Sequence, residues 1–324
     1  MHLLVWFNLN DLWRGELAAF RQRHPEIEVT VTTDLEDPGV AEADLAIGTA
    51  VPLSVVERAH KLRFLGVSLA GVDHLPLELL HQRGITLAAA HTNGIYVAER
   101  ALALILGFLG NIAPYDRDLR QGKWHGFAAG EPADAAWHSL RGASVTLLGT
   151  GSIGQGLARL LAPFDCRITG YRRTNALASP PFDRMNTDLI EAVTGAHIVV
   201  CSLPLTEETR GVLSAQVFAA MPGALFVNVG RGAIADEAAL YNALREGVLR
   251  GAAIDTWYRY PAGDAATHPG AFPFHTLDNV LLSPHLGGYT PQAVAASLRD
   301  IFRQLDIFLK TGDLPEAVDT RRRY

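Results

Sequence analysis

Three glycines in LLGTGSIGQGLARLL, Gly149, Gly151 and Gly154, stand between an apolar run and an amphipathic stretch, a spacing that lays backbone N–H groups against a pyrophosphate. Gly149 permits a tight turn, Gly151 admits phosphate to the backbone, and Gly154 allows a helix to pack closely on a sheet. The helix N-terminus then meets the anion with a favourable dipole. The next apolar run ends in GYRRTN, so Arg172, Arg173 and Thr174 occupy the tip where an acid would hold a ribose 2′-OH. Asp165 and Asp183, the nearest acids, sit elsewhere. Two guanidiniums and a hydroxyl suit a 2′-phosphate, which favours NADP over NAD; arginines that merely solvate a loop are the plainer alternative.

Among twelve histidines, His24, His60 and His81 fall in helix-like polar contexts, whereas His285 closes the strand-like NVLLSPH ahead of two glycines. That is the edge where open α/β sheets place ligands, and an imidazole moves protons both ways near neutral pH. Arg231, in NVGRG, also stands at a strand tip. Its fork offers a bidentate grip on an anion; an ion pair with Asp236 or Glu237 is the competing use.

These residues need a scaffold, and its pattern is regular. From position 143, short β-rich runs alternate with helical stretches: SVTLLG, CRITGY, HIVVCSL, ALFVNVG, GAAIDTW and NVLLSPH. Ile153, Leu157, Leu160 and Leu161 share one helical face between the first two. Six strands joined by helices give a parallel, Rossmann-like sheet. Residues 1–95 repeat the theme with HLLVWF, IEVTVT, DLAIG, RFLGVS and ITLAAA. The expected fold class is α/β, two Rossmann-like or flavodoxin-like parallel-sheet domains with a cleft between them. Residues 1–95 with 291–324 form a substrate-binding domain, and 96–290 an NAD(P)-binding Rossmann domain. The final helical stretch from Pro291 returns to the first domain in this scheme, and the segment 111–138 reads as an arm for a partner subunit or as a floppy insertion.

At 324 residues the chain exceeds the usual single core. A net charge of −6 with no basic cluster beyond Arg321, Arg322 and Arg323 argues against nucleic acid as a partner. MHLLVWFNLNDLW lacks a basic leader and a cleavage site, and no apolar run approaches bilayer length, so no membrane partner and a cytoplasmic location are expected. Cys166 and Cys201 lie in apolar runs without metal-ligand spacing and are expected to be reduced core residues.

LAGVDHL, YVAERALALILGFLG, GTGSIG, LPLTEETRGVL, FVNVGRGAIADEAALYNAL and SPHLGG together resemble the D-2-hydroxyacid dehydrogenase family, in family order over nearly the whole chain. YRRT is similar to the second-strand tip of NADPH-using glyoxylate reductases. The resemblance implies that Arg231 binds the substrate carboxylate and polarises the carbonyl, and that His285 is the acid–base residue. Ala70, Gly71 and Val72 would offer amides to the carboxylate, and Asn93 would face substrate. Ser152, Ile153, Leu203, Pro204, Thr206, Val229 and Gly287 would line the cofactor, with Asp255 near the nicotinamide ribose or, alternatively, a turn residue. In the family, the residue five after that aspartate is a glutamate paired with the histidine; here it is Tyr260, followed by Pro261, unless an insertion gives the role to Asp264. A phenol orients the ring without adding charge. The implied function is reduction of a small 2-oxo acid of glyoxylate or hydroxypyruvate type to its D-2-hydroxy acid, by a homodimer. A formate- or phosphite-type dehydrogenase and a nucleotide-sensing corepressor-like protein are the alternatives.

Overall fold

The computed structural model describes residues 1–125, 136–174 and 177–321; the centre of the 111–138 arm and Arg322 and Arg323 of the basic tail lie outside the described residues. The described residues divide into two compact units, one within 1–93 and 288–321, the other within 94–287.

The first unit holds a five-stranded sheet of β1 (His2–Trp6), β2 (Glu28–Val31), β3 (Leu45–Gly48), β4 (Phe64–Val67) and β5 (Thr86–Ala89), in the order β2-β1-β3-β4-β5. All neighbours pair in parallel. Every residue of β3 and β4 is buried, as parallel strands covered on both faces require. The helix Pro291–Thr311 belongs to this unit. Thr290 caps it by accepting from the Ala293 N–H at 3.0 Å, and Gly312 at φ 75° ends it in the left-handed conformation that glycine tolerates. Leu298, Ile301, Phe302, Leu305 and Phe308 form its buried face, clustered with Leu3, Val5, Phe20 and Phe64.

The second unit holds seven parallel strands: β6 (Ser144–Leu148), β7 (Arg167–Tyr171), β8 (Arg184–Asn186), β9 (Ile198–Cys201), β10 (Leu225–Asn228), β11 (Gly251–Ile254) and β12 (Val280–Leu282). Their order is β12-β11-β10-β9-β6-β7-β8, so the sheet reverses direction of winding between β6 and β9. Six of these strands coincide with the six apolar runs. The seventh, β8, is a three-residue edge strand with Met185 between Arg184 and Asn186, too short and too polar to show a period.

The helix Gly94–Leu109 packs on the helix Ser152–Leu161 within this unit. Side chains are excluded where they cross: a Cβ on Gly156 would lie 3.1 Å from the Ala98 Cβ, and one on Gly94 would lie 2.5 Å from the Ser152 hydroxyl. Cys201 is buried, and burial pushes its thiol up to about 12, so it stays protonated and inert. Cys166 corrects the expectation of a core residue: it is half-buried at the start of β7, and burial raises its thiol as well. Among the described residues no single helix is long and apolar enough to cross a membrane.

Candidate active site

The turn after β6 has the geometry that its glycines foretold. Gly149 sits at φ 104°, and a Cβ on Gly154 would fall 2.1 Å from the Gly149 carbonyl oxygen, so strand end and helix start touch backbone to backbone. A Cβ on Gly151 would meet nothing within 4 Å, and the helix Ser152–Leu161 begins there with no side-chain cap. First-turn N–H groups are thus left to an outside acceptor beside open space, which fits a dinucleotide pyrophosphate. Arg172, Arg173 and Thr174 follow β7 and are exposed. Sequence reading missed a neighbour: Glu208, from the loop after β9, accepts a hydrogen bond from Arg173 Nη1 at 3.1 Å. In that loop Thr206 and Thr209 bond each other, and Thr209 donates to the Pro204 carbonyl at 2.7 Å, fixing the segment that bears Leu203, Pro204 and Thr206.

Arg231 follows β10, and its presentation depends on a residue that the sequence did not single out. Asn228, 1% exposed, donates from Nδ2 to the Arg231 carbonyl at 3.1 Å and accepts the Gly230 N–H at 3.1 Å, folding 228–231 into a tight turn past Val229. Arg231 Nη1 donates to the Gly230 carbonyl at 2.9 Å. Asp236 caps the helix Glu237–Arg245 by accepting from the Ala239 N–H, and Glu237 accepts from the N–H groups of Ala271 and Phe272. Tyr258, mostly buried, stacks on Phe274 near these acids; burial first, then their charge, holds its phenol well above the usual range.

His285 lies on the turn after β12, exposed and at φ 57°, a left-handed conformation that a non-glycine residue adopts only under local constraint. The Tyr260 ring stands beside it, centroids 5.4 Å apart and planes tilted by 48°. The Tyr260 hydroxyl accepts the Trp257 N–H at 3.0 Å. Asp264 is exposed in the stretch beyond Pro261. Asp255, 1% exposed at the end of β11, accepts hydrogen bonds from the Ser283 hydroxyl, the Leu286 N–H at 3.1 Å and the Gly287 N–H at 2.8 Å. A Cβ on Gly287 would lie 2.9 Å from Asp255 Oδ2, so the close approach needs glycine.

In the N-terminal unit, the loop after β4 carries Ala70, Gly71 and Val72, with Val72 buried and the other two half-exposed. Val72 and Leu75 close it with a 3.0 Å backbone hydrogen bond, and Asn93 ends the first stretch of that unit. The second unit thus brings the glycine turn, Arg231 and His285 to the C-terminal ends of β6, β10 and β12 of one sheet, the edge at which α/β sheets bind ligands.

The family model described as D-isomer specific 2-hydroxyacid dehydrogenase, NAD binding domain, matches residues 102–287. A D-3-phosphoglycerate dehydrogenase of Methanocaldococcus jannaschii is 31% identical over 90% of this chain and 55% of its own length. A glyoxylate reductase of Pyrococcus furiosus is 31% identical over 82% of this chain and 77% of its own. The chain therefore spans just over half of the first relative and about three quarters of the second. A crystal structure of an NADPH-dependent glyoxylate/hydroxypyruvate reductase from Sinorhizobium meliloti, in complex with NADP and malonate, superposes with a TM-score of 0.79 over 99% of this chain and 97% of that one. At 23% identity, that likeness is one of fold. With a family match over more than half its length, this chain belongs to the D-isomer-specific 2-hydroxyacid dehydrogenase family.

Proposed function

We propose that the chain reduces a small 2-oxo acid, of glyoxylate or hydroxypyruvate type, to the D-2-hydroxy acid, with NADPH as donor. The observation that carries the reading is the placement of Arg231 and His285 on turns at the same sheet edge as the glycine cradle. The cradle residues Gly149, Gly151, Ser152, Ile153 and Gly154 would hold the pyrophosphate, Arg172, Arg173 and Thr174 the 2′-phosphate, and Leu203, Pro204, Thr206, Val229, Asp255 and Gly287 the rest of the nucleotide. When bound, the reduced nicotinamide supplies a hydride for the carbonyl carbon. Arg231 grips the substrate carboxylate with its fork and stabilises negative charge as it builds on the carbonyl oxygen. His285, protonated, gives that oxygen its proton, so the 2-oxo acid gains one hydride and one proton and leaves as the alcohol. Tyr260 packs beside the imidazole without adding charge. The roles of Ala70, Gly71, Val72 and Asn93 toward substrate, and of the N-terminal unit as a substrate domain, rest on family resemblance and belong to the same proposal.

A homodimer through the 111–138 arm is part of the reading. Ile112, Trp124 and Trp137 are each more than 60% exposed, and a cavity of about 770 Å³ beside the arm is lined by Phe108, Asn111, Arg117, His138 and Leu281. Oxidation of NADPH against glyoxylate, hydroxypyruvate and phenylpyruvate tests the activity, and light scattering on the eluted protein tests the dimer.

A further inference from the structure

We infer that Arg100, half-buried, and the buried Ser283 and Asp255 form a positioning chain that sets the backbone of the His285 turn, and through it the place of the imidazole in the proposed reduction. The inference rests on the reductase reading for its catalytic consequence, but the chain itself is visible in the contacts.

Arg100, on the helix Gly94–Leu109, donates from Nη2 to the Ser283 hydroxyl oxygen at 2.8 Å. Ser283, 2% exposed, bonds in turn to Asp255 Oδ1. The proton directions follow from the groups alone. A guanidinium only donates and an ionised carboxylate only accepts, so the hydroxyl must accept from Arg100 and spend its one proton on Asp255. Ser283 is held at its other atoms as well: its N–H donates to the Ile254 carbonyl at 2.9 Å, and its carbonyl accepts the Trp257 indole N–H at 2.8 Å. Asp255 then takes the N–H groups of Leu286 and Gly287, the two residues after the histidine.

His285 is therefore flanked on both sides by groups tied to one carboxylate, with Pro284 restricting φ in between. That arrangement explains how a histidine keeps φ 57°. A left-handed residue persists where its surroundings over-determine it, and here the determinants are Asp255, Ser283 and, through Ser283, Arg100. Arg100 is linked to Asp255, itself 1% exposed, through the Ser283 hydroxyl. Its Nε is buried with no hydrogen-bond partner among the described residues, so Ser283 is a main anchor of the guanidinium.

The experiment compares wild type, Ser283→Ala, Arg100→Met and the conservative Ser283→Thr. Amide hydrogen exchange is read at Leu286 and Gly287, with Val227 and Ala253 in the central strands as controls. Kinetics with hydroxypyruvate are measured alongside. Ser283→Ala and Arg100→Met should speed exchange at the two turn amides by about tenfold or more and leave the strand amides unchanged. Their kcat should fall roughly 10- to 100-fold, with the hydroxypyruvate KM within about twofold of wild type. Ser283→Thr should behave as wild type in all readouts. Unchanged protection at Leu286 and Gly287 in both disruptive variants overturns the inference, as does faster exchange spread equally through the strands. If the turn amides respond as described but the wild type turns over no 2-oxo acid, the positioning chain stands and the reductase reading fails.

Discussion

The phenol ring of Tyr260 stands beside the imidazole of His285, centroids 5.4 Å apart and planes tilted by 48°. The two rings touch while the phenol oxygen is engaged by the Trp257 N–H. This partner shapes the space around the imidazole and contributes no negative charge.

A pH profile follows from a partner without charge. In the proposed reduction the imidazolium gives the proton, so kcat/KM is expected to be high below the histidine pKa and to fall as pH rises through it. A carboxylate beside the ring favours the charged form and raises that pKa. Tyr260→Glu is therefore expected to move the descending limb of the reduction profile to higher pH, while Asp264→Asn leaves it in place. A Tyr260→Glu profile that overlays wild type, together with loss of activity in Asp264→Asn, would transfer the role to Asp264.

Cofactor choice should follow the tip of β7. Arg172→Asp is expected to lower kcat/KM with NADPH by roughly 10- to 100-fold, the worth of a lost charge-assisted contact, and to spare NADH. Glu208 pairs with Arg173 and, in the proposed NADPH mode, would compete with the 2′-phosphate for it, so Glu208→Gln should tighten NADPH more than NADH. Wild-type protein equally efficient with both cofactors would refute the assignment.

Arg231 is expected to act mostly in the transition state. Arg231→Ala should cost roughly 100- to 1000-fold in kcat/KM, and Arg231→Lys should recover only part because an ammonium lacks the fork. Near-normal turnover in Arg231→Ala would remove it from the site.

Two glycines of the cradle should separate folding from binding. Gly154→Ala forces a Cβ to within 2.1 Å of the Gly149 carbonyl oxygen, so melting should show a loss on the order of 1–3 kcal/mol. Gly151→Ala points its methyl into open space, so Tm should hold while NADPH binding weakens. An unchanged Kd in Gly151→Ala would mean that the phosphates do not approach that backbone.

What could be read from sequence was what neighbours along the chain determine. The glycine turn, eleven of the strands and the place of His285 at a strand tip all follow from local pattern and turn chemistry. The supports of the site were hidden because they are made across the fold. Arg100 and Ser283 lie 183 positions apart, and Arg173 and Glu208 lie 35 apart. Asn228 is hidden differently: as one polar residue closing an apolar strand, it looks like the start of a loop, yet it is buried and shapes the Arg231 turn. Cys166 looked apolar by context, but the start of β7 lies near the surface and leaves it half-buried.

The most direct test of the account is NADPH oxidation by the purified protein against glyoxylate, hydroxypyruvate and phenylpyruvate, with formate and phosphite assayed in the oxidative direction and the product's configuration determined. The account predicts reduction of at least one 2-oxo acid to the D-2-hydroxy acid, lost in His285→Ala and in Arg231→Ala. Turnover of formate or phosphite with none of the 2-oxo acids, or tight NADPH binding without turnover of any of them, would contradict it.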